Sequence, residues 1–352
     1  MIGVYMDKDK ERTLVTFALI AYNQARFIRE AVEGAFAQTY EPLEIIMSDD
    51  CSTDETFQIM QQLVAEYTGP HRVVLNHNET NLGIGAHINR IMELSHGELI
   101  VVAAGDDISL PHRSSEIYKE WIKSNKKAFS LDSKIEMIDE YGVVLTNRPV
   151  IKKNVFPIEQ QLILYSKTLL SRVCGAAHAW HRDVFDVFGP LPSITMEDQA
   201  IPARAMLLGG VAHVDKTLVK YRTHGDNIWT SCKKLSAKEL LDREVYYSKD
   251  WVTIYDDIVR CINDYKRTEC ELDRVREFDE CVLAVDAGKK KNILKISILA
   301  GYPILRLFKL LQYSYLYKFT SNDIFWVTCA VSFPLARFLL FCKRKYDTII
   351  RL

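Results

Sequence analysis

The stretch that most constrains this chain is residues 98–110, ELIVVAAGDDISL, where an unbroken apolar run stops on the adjacent carboxylates Asp106 and Asp107. Leu99–Ala104 is too short for an ordinary helix and has no polar face, the pattern of a strand covered on both sides in a parallel sheet. Gly105 and the two acids cannot continue that burial, so they stand at the strand's C-terminal lip, where open α/β sheets bind ligands. Neighbouring carboxylates repel unless a cation sits beside them, and Mg2+ or Mn2+ with phosphate oxygens suits that place. The competing reading is a solvated turn or a helix cap.

What precedes this strand repeats its logic. Residues 13–21, TLVTFALIA, form an expected strand running into Tyr22 and Asn23, after which Phe27, Ile28, Ala31, Val32, Ala35 and Phe36 recur at helical spacing. Beyond Pro42, residues 43–47 form a second strand ending on Ser48, Asp49 and Asp50. Ser52, Thr53, Asp54 and Glu55 have the form of a capping box for a helix with Phe57, Met60, Val64 and Tyr67 on its apolar side. Residues 72–75 are a shorter third strand, and the segment from Asn81 to Gly85 opens a helix carrying Ile84, Ile88, Ile91, Met92 and Ser95. His96 and Gly97 suit a left-handed cap at its end. Strand and helix alternating in this way specify a parallel α/β sheet. Gly83 and Gly85 are not a dinucleotide fingerprint, because the third glycine and a long preceding strand are missing.

Together, AYNQARFIREAVEGAFAQTY, EIIMSDDCSTDET and NLGIGAHINRIMELSHGELIVVAAGDD resemble the nucleotide-binding half of the family 2 glycosyltransferases, over about residues 13–112 and again near 175–227. The resemblance implies a GT-A fold, an α/β Rossmann-like and mostly parallel sheet flanked by helices, here with a helical C-terminal extension. It also implies a nucleotide-sugar donor, expected to be UDP-linked, and Mn2+ or Mg2+. By the same resemblance Ala21, Tyr22 and Asn23 flank the base, and Asp49 or Asp50 hydrogen-bonds to it or its ribose. Asp106 and Asp107 fall on the motif that carries the metal and touches the ribose, with Asp107 favoured as the primary ligand. Many relatives have a further Asp where this chain has Ala104.

Residues 196–209, MEDQAIPARAMLLG, resemble the family's ED motif, which makes Asp198 the general base and Glu197 its neighbour. A paired acid could raise the base's pKa toward the working pH. A strand expected over residues 211–221 leads to Arg222, matched to phosphate by its forked donors, and to His224, which in relatives completes the metal shell or touches the diphosphate. Asp226 and Asn227 follow. Each of these has a plainer reading: turn chemistry for Asn and Asp, favourable charge at a helix N-terminus for the acid pair, and a structural role for a lone histidine.

Between these motifs, Ile117, Trp121 and Ile122 suggest a helix and Ala128–Ile138 a strand. Residues 238–286 suggest one or two long helices with Leu240, Leu241, Val245 and Tyr246 in an apolar stripe, and Gly288 followed by Lys289, Lys290 and Lys291 suggests a boundary. The organisation expected is a catalytic domain over 1–230, a helical linker over 231–288 and a basic, membrane-associating region over 289–352.

Formal net charge is −1, but residues 289–352 hold 12 Lys and Arg against 2 Asp, so the two parts differ in employment. In residues 293–311 the only charges, Lys295, Arg306 and Lys309, share one helical face, which suits a helix lying in the membrane interface. Residues 324–342 would just span a bilayer, yet Arg337 inside them makes spanning costly. Peripheral attachment to the anionic cytoplasmic face of the inner membrane is expected; a span, a soluble helical pair or a homodimer contact are the alternatives. Eight cysteines without CxxC spacing argue against a zinc site or disulfide framework. The first residues lack a signal peptide's apolar core.

The activity expected is inverting transfer of the sugar to a hydroxyl of a growing cell-surface or lipid-linked glycan, with no nucleic-acid partner. The rivals are a sugar nucleotidyltransferase, for which AYNQARF supplies no glycine-rich phosphate loop, and a non-catalytic membrane-attached binding protein on a decayed fold.

Overall fold

In the computed structural model, which describes residues 12–145, 157–171, 173–225, 237–268 and 272–299, strands and helices alternate as the apolar runs require. The first half holds β1 (Val15–Ala21), α1 (Ile28–Phe36), β2 (Leu43–Asp49), α2 (Thr56–Glu66), β3 (Arg72–His77), α3 (Ile84–Leu94) and β4 (Leu99–Ala104). There follow β5 (Ile108–Ser109), α4 (Arg113–Lys123), β6 (Ala128–Ile138), α5 (Ile158–Thr168), a single 3-10 turn (Gly175–Ala177), β7 (Ala179–His181) and α6 (Asp183–Asp186). The described elements end with α7 (Glu197–Leu208), β8 (Gly210–Arg222), α8 (Ala237–Thr268) and α9 (Leu272–Leu299).

The sheet order is β3-β2-β1-β4-β7-β6-β8-β5. Strands β1 to β4 are mutually parallel, β7 is antiparallel to both β4 and β6, β8 runs parallel to β6, and β5 antiparallel to β8. It follows that β6 and β8 point the same way as β1 to β4, and their C-terminal ends share one lip. Alternate residues of the central strands enter different cores. Ala18, Ile46, Ile100 and Val102 pack with α3 and α7 on one side, whereas Phe17, Leu19, Ile45, Met47, Val101 and Ala103 pack with α1 and α4 on the other. Both faces being covered is what the unbroken apolar run of β4 predicted.

Several local expectations need correction. The capping box does not form: α2 starts at Thr56 without a side-chain cap bond at Glu55, because Asp54 accepts from the Thr56 N–H and hydroxyl while Ser52 turns to Asp49. Strand β2 runs two residues further than expected, since Ser48 and Asp49 still pair with β1 and β3. Helix α3 ends in extended backbone at Ser95, not in a left-handed cap. Gly97 is instead needed for close approach, as a Cβ there would lie 2.4 Å from the Thr16 nitrogen.

The C-terminal part differs more. Tyr246 is half exposed, the side chains of Leu240 and Leu241 lie outside the described residues, and among the described side chains of α8 Trp251, Ile254, Tyr255, Ile258 and Ile262 pack inward. The boundary expected after Gly288 falls inside the continuous helix α9, where the missing side chain lets Leu169 and Tyr255 pack close. Lys295 pairs with Glu244 of α8 and so does not stand on a free cationic stripe. Among the described residues no helix is long and apolar enough to cross a membrane. Arg306, Lys309, Arg337, the first apolar segment beyond residue 299, all of the second, and Asp226 and Asn227 lie outside the described residues.

Candidate active site

The parallel register decides what meets at the lip. Ala21 lies beside Asp49, and Ala104 beside Ile20, so the residues leaving β1, β2 and β4 stand abreast. Gly105 is required by that closeness, since a Cβ there would sit 2.9 Å from the Cβ of Ala21. On leaving β1, Tyr22 is exposed, and Asn23 takes a left-handed backbone with φ of 53° that asparagine tolerates better than most residues. Its side-chain oxygen accepts from the Thr53 N–H at 2.8 Å, and its own N–H donates to Ser52 Oγ at 2.8 Å. These bonds join the ends of β1 and β2 into one wall.

Asp49 and Asp50 are both buried. Asp49 accepts from the Ser52 N–H and hydroxyl and from His77, whose ring packs on Phe57. Asp50 accepts from Asn78, from the Leu82 N–H at 2.9 Å and from the Gly83 N–H at 3.0 Å. The pair therefore shapes the crevice by holding the 78–83 loop and the Ser52 turn.

The turn after β4 is locked by β8. The Arg222 N–H donates to Asp107 Oδ1 at 2.8 Å, and Arg222 Nε donates to the Asp106 carbonyl at 2.9 Å. The rest of the guanidinium reaches the Glu140 carbonyl and Glu30, lying over the Phe27 ring. Arg222 is thus buried and engaged on several sides, and it fixes the acid turn. Asp106 keeps some exposure, and its Oδ2 lies 3.0 Å from His224 Nε2. Asp107 is buried, and its Oδ2 has no hydrogen-bond partner among the described residues. Burial first, and then the charge of Asp106, hold its carboxyl well above the usual carboxylate range, with Arg222 and Arg113 opposing.

Among the described residues no group of three or more His, Cys, Asp or Glu is arranged to hold a metal ion. The turn offers fewer groups: the Asp106 and His224 pair and one buried, unpartnered carboxylate oxygen. That donor set fits a hard divalent ion of the kind that takes one or two carboxylates and completes its shell with phosphate oxygens and water.

The acids of α7 belong to the same lip. The chain enters β7 from the same lip, which sets the Gly175–Ala177 turn against the start of α7; a Cβ on Gly175 would meet Glu197 Oε1 at 3.1 Å and Asp198 Oδ2 at 3.5 Å. Burial and the neighbouring charge of Asp198 push the Glu197 carboxyl up to about 8. That burial and charge favour the protonated form of Glu197.

Arg113, fully buried on α4, joins the two sides. It donates to the carbonyls of Val102, Ala176 and His178 and to Ser109, and it lies near enough to Asp107 to oppose that acid's rise. Burial lowers its own pKa to about 10. Asp132 on β6 accepts from the Cys174 N–H and from His213, steadying the same turn. The sequence reading missed Arg113, Asp132, Ser171 and Gly175. Only one of them, Arg113, had a signal: a cation in the first turn after the acid pair, where a helix start disfavours positive charge.

Residues 16–188 match the family described as Glycosyl transferase family 2. An uncharacterised protein of Mycobacterium tuberculosis is 28% identical over 216 residues, 60% of this chain and 59% of that protein. The chain thus spans about three-fifths of that relative's length. An uncharacterised glycosyltransferase of Haemophilus influenzae is 24% identical over 66% of this chain and 74% of its own. Among solved structures, S. aureus TarS 1-349 in complex with UDP-GlcNAc superposes with a TM-score of 0.52 at 15% identity, covering 91% of each chain. The likeness to TarS is one of fold.

Proposed function

We propose, from its membership of glycosyl transferase family 2 over residues 16–188 and its GT-A fold, that this chain moves a sugar from a nucleotide donor to an acceptor hydroxyl. The observation that carries the reading is that two unlike acid pairs belong to one sheet lip and are linked through Arg113, which lies near Asp107 and donates to the Ala176 carbonyl in the turn set against α7. One pair, Asp106 and Asp107, sits with His224 in a turn suited to a divalent ion and a diphosphate. The other, Glu197 and Asp198, opens α7, with burial favouring the protonated form of Glu197.

In this reading Asp198 is the general base. It removes the proton of the incoming hydroxyl, so that the oxygen attacks the anomeric carbon in a single displacement and inverts it. Asp106, with His224 and the unpartnered oxygen of Asp107, would hold Mn2+ or Mg2+, which supplies charge stabilisation to the departing diphosphate. Tyr22 and the wall joined by Asn23 flank the base, and Asp49 and Asp50 keep that wall in place. UDP is the preferred nucleotide, on the analogy of the TarS complex with UDP-GlcNAc.

The acceptor we propose is a hydroxyl of a surface or lipid-linked glycan at the cytoplasmic membrane face. The support is the basic excess of residues 289–352, and co-sedimentation with phosphatidylglycerol vesicles but not phosphatidylcholine vesicles tests it. For the chemistry, nucleotide release with MnCl2 and a panel of UDP-, GDP- and dTDP-sugars is the test. Asp198→Asn should lower turnover by about 10²- to 10⁴-fold and leave donor binding intact; an Asp198→Asn protein with undiminished turnover contradicts the assignment.

A further inference from the structure

The helix that carries Asp198 holds its first turn incompletely: the Ala200 N–H reaches the Met196 carbonyl at 3.4 Å, but two other bonds are missing. Its N-cap residue, Met196, makes no side-chain cap bond. Pro202 stands four residues after Asp198 and has no N–H, so the i to i−4 bond that would occupy the Asp198 carbonyl cannot form.

Ser171 fills the second gap, and Asp250 holds the residue just before the cap. Ser171 Oγ donates to the Asp198 carbonyl at 2.6 Å, and the Ser171 N–H donates to Gln199 Oε1 at 3.1 Å. Asp250, buried on α8, accepts with a single oxygen from the Thr195 N–H at 2.8 Å and the Thr195 hydroxyl at 2.5 Å. Asp257 lies two turns further along the same face of α8 and grips Arg204 of α7 through two bonds of 2.8 Å. Helix α8 therefore holds α7 both before and behind the acid.

We infer that Ser171 and Asp250 are positioning residues for Asp198, which makes the C-terminal helical hairpin part of the catalytic apparatus. The inference rests on the reading of Asp198 as base. A reacting group displaced by about 1 Å can lose on the order of 10²-fold in rate, so a first turn anchored in part from outside is a place where small losses of contact become large losses of turnover.

The test uses the full chain with MnCl2 and UDP-GlcNAc, UDP-glucose, GDP-mannose or dTDP-glucose, whichever gives nucleotide release. Ser171→Ala and Asp250→Ala are expected to lower kcat by about 10- to 100-fold while KM and nucleotide affinity stay near those of the parent. In an Asp198→Asn background neither substitution should lower the residual rate further, since each acts through that side chain. Pro202→Ala returns an N–H to the Asp198 carbonyl and should recover most of the loss caused by Ser171→Ala. Asp250→Asn keeps one acceptor oxygen, should retain more turnover than Asp250→Ala, and serves if the alanine protein does not fold.

Full kcat in folded Ser171→Ala and Asp250→Ala proteins, with Asp198→Asn inactive, overturns the positioning role alone. Additional losses on top of Asp198→Asn also overturn it, because they mark a merely structural part. An active Asp198→Asn protein, or no release from the parent with any of the four donors, overturns the base assignment and the positioning role with it.

Discussion

The two sides of the lip are made rigid by different means. On the parallel side, Ala21, Asp49 and Ala104 stand together because β1, β2 and β4 pair in register, and a one-residue slip would turn every buried side chain of a strand to the wrong face. On the other side, Glu197 and Asp198 begin a helix held by Ser171, Asp250 and Asp257, each from a different stretch of chain or a different turn of α8. A site built on register is as strong as the sheet core. A site built on tethers can be loosened one bond at a time.

Cutting the tethers is the sharpest way to break this contrast. Asp257→Ala leaves Arg204, fully buried, without its carboxylate. We expect a loss of about 3–5 kcal/mol in urea unfolding, as for other broken buried pairs; a loss below about 1 kcal/mol would mean the pair behaves as a surface contact. Next in size is Arg113→Met, which keeps bulk but strips donors from the carbonyls of Val102, Ala176 and His178. It should lower stability by about 1–3 kcal/mol and loosen both sides of the lip together. Donor affinity unaffected in that variant would show that the two sides are independent.

Gly175→Ala probes the meeting of the turn with the acids. Its Cβ would lie 3.1 Å from Glu197 Oε1, so a destabilisation of about 1 kcal/mol is expected, together with lower turnover. A separate handle is pH. Glu197 holds its proton up to about 8 in the folded chain but titrates near 4.5 when unfolded. The folded state therefore binds more protons between these values, and stability falls as pH rises through that window and levels off above it. Glu197→Gln cannot ionise, so its unfolding midpoint should gain on the parent's as pH rises from about 5 to 8. Parallel pH curves would show that Glu197 is not held protonated.

This contrast also explains what the sequence disclosed. The order and span of β1 to β4, and the acids at their ends, were legible because each is marked by an apolar run and its abrupt stop. The boundaries missed, such as the two extra residues of β2, are polar positions kept in the sheet by pairing alone. The part Arg222 plays in fixing the acid turn was not legible, because its contacts with Glu30, Glu140 and Phe27 join residues far apart in the chain. Ser171 and Asp250 are unremarkable letters 27 and 52 positions from Asp198. The one written clue was Pro202, which cannot occupy the carbonyl of Asp198.

The central claim is that the Asp106 turn holds the nucleotide and its ion while Asp198 acts only on the acceptor. Calorimetric titration with UDP-sugar, with and without MnCl2, on the parent, Asp106→Ala and Asp198→Asn proteins tests it most directly. The account predicts Mn2+-dependent binding that is lost in Asp106→Ala and retained in Asp198→Asn. Binding that survives Asp106→Ala, or that disappears in a folded Asp198→Asn protein, would contradict it.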